Sequence, residues 1–384
     1  MKTDQMGRRR CFGATVALLV VGSLLTGCGS SGTDRESKKA PTEACESYDK
    51  VNYILAAATV SLGSVAYVQV PEAMGYFEDE CLDVEVQASG QTNSEVALSQ
   101  LEVGRFDVGI PATISAVTFA AEKPTLKVVY FTAFRNIGIY VPDDGDIATP
   151  GDLAGKKLGV TSIGTGTATY CLEAARLEGV EAGDIEQVPI NSGLTAVAES
   201  IRSGRLDAWC GIDSDLVAFN SAGLASKRLD SEFDKDLLPP GSMVATNDFI
   251  EKRPEVLKRF LRAVMKGYVF ALTAPDKATA IALRDYPESI PAADSKEDSF
   301  KAALAIVEER MENSPPPGYP ETPLGYMTDE AIEAGVEPLV RAELVPDDLA
   351  LDEWRDLSFI DEVWKDVDRA AIEAEAKSAE MVSW

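Results

Sequence analysis

The pattern of this 384-residue chain predicts an α/β protein of two lobes, each a mainly parallel sheet flanked by helices. Three observations carry that expectation. Strand-length apolar runs alternate with helically spaced ones from Val51 to Thr132, and the alternation restarts at Lys157 and continues to Ile212. About 357 residues remain once an N-terminal leader is set aside, more than one ordinary domain uses, and 45% of the chain is hydrophobic, enough for two cores.

In the first half, Val51 to Thr59 is an apolar run of strand length, and Val65 to Phe77 carries apolar residues at helical spacing with Gly75 at a C-cap position. Leu82 to Val86 alternates as a strand. Ser94 to Val103 reads as an amphipathic helix, Phe106 to Ile110 as a short strand, Thr113 to Glu122 as a helix and Leu126 to Thr132 as a buried strand. The second half repeats the order: strand Lys157 to Thr161, helix Thr167 to Glu178, strand Ile185 to Pro189, helix Leu194 to Ser203, strand Leu206 to Ile212. After Met243 to Thr246 the pattern is almost wholly helical, beginning with a long amphipathic stretch from Pro254 to Leu272 and interrupted by the Pro-rich loop 315–323.

The N-terminus has the order of a signal peptide. Lys2, Arg8, Arg9 and Arg10 precede an uncharged, mostly apolar run from Cys11 to Leu25. At about 15 residues the run is shorter than the ~20 that a membrane-spanning helix needs. Leu25-Thr26-Gly27-Cys28 at its end resembles the bacterial lipobox, so residues 1–27 are expected to be removed and Cys28 to carry lipid. The polar stretch from 28 to 46 then reads as a flexible tether. The expected location is outside the cytoplasm, held by that anchor to the outer face of the cell membrane or the periplasmic side of a two-membrane cell. Loss of the four basic residues and Asp4 would take the formal net charge from −27 to −30, which excludes nucleic acid as a partner.

Several segments in a fixed order resemble ABC-transporter solute-binding proteins. Ala73-Met74-Gly75-Tyr76-Phe77-Glu78 before Leu82-Asp83-Val84-Glu85-Val86 is similar to the "GYF(E)…GLdVe" signature of that family. Gly104 to Gly109 (GRFDVG), Thr149 to Val160 (TPGDLAGKKLGV), Gly204 to Trp209 (GRLDAW), Asp248-Phe249-Ile250 through Leu257, and Leu357 to Asp361 follow in the same sequence. The branch resembled includes taurine, aliphatic-sulfonate, nitrate and thiamine-pyrimidine-precursor binding proteins. The chain departs from it at Glu80-Cys81, where Glu-Gly is usual, and at Asp213-Ser214, where an acidic residue followed by proline is common. The resemblance implies a periplasmic-binding-protein-like fold of type 2, with hinge crossings near Ile137 to Asp143 and Met243 to Asn247. Lobe 1 would comprise 47–138 plus 247–384 and lobe 2 would comprise 139–246. A small polar organic solute, sulfonate- or taurine-like or amino-pyrimidine-like, would sit between the lobes of a monomer and pass to an ABC permease and ATPase.

Elementary fold physics points to the same cleft, because ligands of open parallel sheets sit beyond the C-terminal ends of the strands. Four segments qualify: Ser61-Leu62-Gly63-Ser64, Pro111-Ala112-Thr113, Ser162 to Thr167, and Asp213-Ser214. Candidate ligand contacts are therefore Ser61, Gly63, Ser64, Thr113, Ser162, Gly164, Thr165, Gly166, Thr167 and Asp213. Small residues and hydroxyls at a helix start let backbone N–H groups approach an anion, although plain N-capping uses the same residues. The missing Lys and third glycine exclude a P-loop and a dinucleotide fingerprint. Asp213 suits a ligand amine or a helix cap, Arg135 a sulfonate or plain solvent, and Trp209 and Tyr170 suit core packing better than ligand stacking.

Cys45 and Cys81 precede the first two strands and should meet at one sheet edge, so a disulfide between them is expected. Cys171 and Cys210 pair if their helix packs over their strand, and are otherwise two buried thiols. No metal site and no cofactor is expected, because no closely spaced cysteines occur. The chain contains no histidine, which removes the commonest acid–base group and every Ser-His or Cys-His arrangement. It also speaks against the fungal pyrimidine synthase of similar fold, which consumes its own histidine. No catalytic residue is assigned.

Overall fold

The strands of the computed structural model fall into two five-stranded sheets, each made from one half of the repeat plus one strand that has crossed over. The structure describes residues 45–90, 93–190, 193–229, 237–291 and 293–384, so the leader, Cys28 and most of the tether lie outside the described residues. The first half supplies β1 (Asp49–Leu55), β2 (Leu82–Ala88), β3 (Val108–Ile110) and β4 (Leu126–Ala133). The second supplies β5 (Ile137–Pro142), β6 (Lys157–Val160), β7 (Glu186–Pro189), β8 (Ala208–Ile212) and β9 (Ser226–Arg228), and the chain returns through β10 (Gly241–Thr246). The sheets have the orders β2-β1-β3-β10-β4 and β7-β6-β8-β5-β9.

Within each sheet four strands point the same way and the crossed-over strand runs against them. β1 is parallel to β2 and β3, whereas β10 is antiparallel to β3 and β4. β6 is parallel to β7 and β8, whereas β5 is antiparallel to β8 and β9. The two-lobed α/β class and the mainly parallel direction agree with the sequence pattern. The antiparallel guest strands were not legible there, because Ile137–Pro142 and Gly241–Thr246 are short apolar runs whose partners lie far away in sequence.

This topology corrects the expected boundaries. Ile137–Pro142 and Gly241–Thr246, which the expected crossings include, are hydrogen-bonded strands. The first crossing is the three residues Phe134 to Asn136, and the second runs from 229 to 240. Gly241–Thr246, expected in lobe 2, pairs in the first sheet, and Ile137 and Gly138, expected in lobe 1, pair in the second.

The repeated G-x-x-D segments are structural. Gly104 and Gly204 follow helices Ser94–Glu102 and Leu194–Arg202 with positive φ, closing each helix C-terminus. Asp107 then accepts from the backbone N–H of Asn52 at 2.8 Å, and Asp207 from that of Lys157 at 2.8 Å. Each aspartate thus aligns one strand against its parallel neighbour, β3 against β1 and β8 against β6.

The C-terminal helices complete the first lobe. Helix Pro254–Thr273 buries Phe260 between Tyr53, edge-on at 5.2 Å, and Phe77, stacked at 5.6 Å. Gly267 on that helix allows the 65–73 segment to cross it closely, since a Cβ there would lie 2.2 Å from the Ala66 carbonyl and 2.6 Å from the Pro71 ring. Edge strand β4 is covered where Phe131 N–H donates to the Gly325 carbonyl and Asp356 N–H to the Val128 carbonyl. Among the described residues no helix is long and apolar enough to cross a membrane.

Both disulfides are formed. Cys45 and Cys81 meet with Cα atoms 5.7 Å apart at the edge where Asp49 pairs with Leu82. Cys171 of helix Gly166–Leu177 bridges to Cys210 of β8 with Cα atoms 6.1 Å apart, which decides the alternative that the sequence left open. Cys81 has φ +55°, a left-handed conformation that costs a non-glycine residue about 1–2 kcal/mol. The family's usual glycine at this position therefore has a backbone reason, and the bridge is what this chain gains in exchange. Cys45→Ala with Cys81→Gly should be more stable than Cys45→Ala with Cys81→Ala by about 1 kcal/mol. Urea unfolding compares the two, and equal midpoints would remove the strain argument.

Candidate functional site

The C-terminal ends of the parallel strands, and the loops that leave them, carry the residues singled out above. After β1 the chain turns through Leu62–Ser64, where Ser64 Oγ donates to the Ser61 carbonyl at 2.7 Å and Gln69 Nε2 donates to the same oxygen at 2.8 Å. Ser64 is buried and Ser61 exposed. After β6, Ser162 and Gly164 are exposed, and Gly164 takes φ +79° to aim the chain into helix Gly166–Leu177. Thr165 caps that helix, accepting from Ala168 N–H at 3.2 Å while its hydroxyl donates to the Ser162 carbonyl at 3.1 Å. Thr167 is half-buried in the first turn.

Two of the four loops meet across the cleft at the starts of their helices. Helix Thr113–Glu122 follows β3, and a Cβ placed on Gly166 would lie 3.9 Å from the Ala112 and Ile114 Cβ atoms and 3.8 Å from Ser115 Oγ. Ile114 packs on the cores of both lobes. Thr113 N–H donates to the Pro240 carbonyl at 3.0 Å, which leaves Ile114 and Ser115 N–H without an intrahelical partner. On the facing helix, the cap on Ala168 likewise leaves Gly166 and Thr167 N–H. Thr113 is 0% exposed, and its hydroxyl has no hydrogen-bond partner. Two positive helix ends therefore face each other, and the first turn of one of them holds a buried hydroxyl without a partner.

The other two loops are joined by a residue that sequence reasoning missed. Asp213 opens helix Asp213–Ser221 after β8 and is 1% exposed. Both of its oxygens are engaged by Arg310 of helix Lys296–Asn313, through Nε at 2.5 Å and Nη2 at 2.7 Å. Arg310 Nη1 also donates to the Gly63 carbonyl at 3.2 Å, so one guanidinium bonds to both lobes. Burial opposes the arginine's charge, but the adjacent Asp213 carboxylate outweighs it and holds the guanidinium protonated well above its ordinary range. Asp213 N–H donates to the Asn136 carbonyl, and Phe134 and Arg135 N–H both donate to the Asn313 carbonyl, which ties this pair to the first crossing.

The capping role considered for Asp213 is filled by Asp215, which accepts from Ile212 N–H at 3.1 Å and from Trp209 Nε1 at 2.8 Å. Burial raises the Asp215 carboxyl above the usual range, and those two donors pull it back in part. Trp209 and Tyr170 lie in the cores of the second lobe, as core packing requires, and the Arg135 side chain is exposed. Nothing local distinguishes Arg310 in the sequence, since it is one of several charged residues in Glu308-Glu309-Arg310 on a helix remote from the repeats.

Two sheets flanked by helices, crossed twice by the chain and facing each other through strand-end loops, define a two-lobed periplasmic-binding-protein fold. The chain belongs to the NMT1/THI5-like family, whose model matches residues 64–278, more than half of its length. It is 26% identical over 279 residues to the formylaminopyrimidine-binding protein of Halalkalibacterium halodurans, a match that covers 67% of this chain and 76% of that protein. The periplasmic aliphatic sulphonate binding protein SsuA from Escherichia coli superposes with a TM-score of 0.62 at 17% identity, covering 81% of this chain and 92% of its own. The desulfurization enzyme DSZB has the same fold at a TM-score of 0.52 and 14% identity, covering 83% of this chain and 99% of its own. Family and fold together support a substrate-binding role.

Because the Asp213–Arg310 pair is buried, removing one partner strands the other's charge. Asp213→Ala should cost about 3–5 kcal/mol, whereas the volume-matched Asp213→Leu with Arg310→Met should cost far less or nothing. Chemical denaturation at neutral pH reads both, and a cheap Asp213→Ala would mean that water reaches the guanidinium.

Proposed function

We propose that the chain is the substrate-binding lipoprotein of an ABC importer, capturing a small organic solute with an anionic head in the cleft between its lobes. The observation that carries this reading is the meeting of two helix N-termini at Gly166 and Ala112 to Ser115, one of which holds the buried, unpartnered Thr113 hydroxyl in its first turn. Free N–H groups and aligned peptide dipoles favour an anion there. A sulfonate offers three acceptor oxygens, which suits donors arriving from both lobes. The likeness in fold to a sulphonate-binding protein points the same way.

The sequence relative that binds formylaminopyrimidine favours a second ligand class, an amino-pyrimidine. Such a ligand would offer ring nitrogens to the same N–H groups. The role is binding and delivery to a permease and ATPase, not chemistry: the chain contains no histidine, and the carboxylates beside the cleft are committed to Arg310, Trp209 and backbone donors.

A thermal-shift screen over short sulfonates, nitrate and formylaminopyrimidines tests the reading. A true ligand at a hundred times its Kd adds about 2.7 kcal/mol of stability, a plain rise in midpoint. Thr113→Val should then weaken that ligand by about 1 kcal/mol, the size of one hydroxyl hydrogen bond. Silence of the whole panel would sink the proposed ligand classes.

Attachment is proposed through Cys28. If the acylated terminus holds the protein, Cys28→Ala should move it from the membrane fraction to the soluble one. Retention on membranes would refute the lipid anchor without touching the binding reading.

A further inference from the structure

The repeat relates the two halves of the cleft, and they are filled differently. On one side the loop after β6 meets the loop after β3, at Gly166 and Ala112 to Ser115. The equivalent pairing on the other side is the loop after β1 with the loop after β8, at Gly63 and Asp213. There the loops do not meet directly, and a side chain from a third element lies between them. A Cβ on Gly63 would sit 3.3, 3.4 and 3.5 Å from Nη1, Nη2 and Cζ of Arg310, so the guanidinium lies against Gly63 in van der Waals contact while bonding to its carbonyl. Its other face of donors is spent on Asp213. Arg310 is 9% exposed.

The helix that delivers this arginine is fastened beside it. The Asn313 carbonyl accepts from Phe134 and Arg135 N–H at 2.9 and 3.1 Å, and Ser314 Oγ donates to the Arg310 carbonyl at 2.7 Å. Glu309, one residue away, engages Asn313 Nδ2 at 3.0 Å and leaves Asp213 as the arginine's carboxylate. The charges of Arg310 and Asp213 cancel, so the filled half carries no net charge.

We propose that Arg310, neutralised by Asp213, is a built-in plug of the half-cleft between Gly63 and Asp213, and that it determines ligand size by confining the solute to the half between Thr113 and Gly166. This rests on the reading of the cleft as the ligand site. The plug predicts a preference for short solutes, because a longer tail directed toward Gly63 meets a buried ion pair whose displacement leaves both charges without partners.

Two measurements test it. Arg310→Ala leaves a hole shaped for a guanidinium ion, so guanidinium chloride at low millimolar concentration should raise the melting midpoint of that variant saturably. It should not do so for the wild type or for Arg310→Ala with Asp213→Ala. Calorimetric titration then compares octanesulfonate with ethanesulfonate, and their affinity ratio should rise about tenfold or more in the double alanine variant relative to the wild type. Absence of saturable rescue, or an unchanged ratio, overturns the plug. If the alanine variants do not fold, Arg310→Lys carries the ratio measurement, since its point charge cannot span Gly63 and both Asp213 oxygens. Rescue by guanidinium with neither sulfonate bound by any variant would overturn the ligand reading of the cleft, while the filling of that half by Arg310 would stand.

Discussion

Each sheet is completed by a strand that comes from the other side of the cleft. Without β10, strands β3 and β4 would face each other across a gap one strand wide, with their inner N–H and C=O groups unpaired, and the same holds for β8 and β9 without β5. Backbone groups in a buried sheet have to be paired, so neither lobe can close before the chain has crossed. The two crossings are therefore a condition of folding. The first crossing is three residues long, which keeps the lobes close and fixes which loops oppose each other.

Opposition of those loops creates the electrostatics of the cleft. Two helix N-termini that face each other at Gly166 and Ala112 to Ser115 present N–H donors that have no partner within their own helices, an arrangement that favours an anionic group. On the equivalent side the chain places a guanidinium between Gly63 and Asp213, where it donates to the Gly63 carbonyl and to both Asp213 oxygens. A buried ion pair contributes little net stability, because desolvation offsets most of the attraction. Its geometry is specific all the same, since a bidentate pair plus a carbonyl acceptor admits one arrangement of the two lobes at that point. The high overall acidity does not contradict an anionic ligand, because surface charges beyond about 10 Å are screened while helix ends act at contact.

Much of the fold was legible because local periodicity is enough to name a strand or a helix. Gly75 with φ +74° stands at the end of its helix as its position suggested, and the pairing of Cys45 with Cys81 followed from their places before neighbouring strands. The sheet pairing of β5 and β10 was not legible for a physical reason: a short apolar segment after a turn looks alike whether it joins a sheet or links two. The G-x-x-D segments were recognised as markers of the fold, but their work, aligning Asp107 on Asn52 and Asp207 on Lys157, appears only once the strands are paired.

Of the cleft residues, those adjacent to a strand end and a helix start could be named in advance, since Thr113, Thr165, Gly166 and Asp213 are the kinds of residue that helix starts need. The sequence by itself determined the alternation, the two halves, the cysteine pair before the first two strands, and the absence of histidine chemistry. It was local information in each case. The tertiary structure alone decided that Gly166 faces Ala112 to Ser115, that Cys171 reaches Cys210, and that Arg310, almost a hundred residues beyond Asp213, takes its carboxylate. Such partners are chosen by where the crossings bring the two lobes, and no neighbouring residue in the chain carries that information.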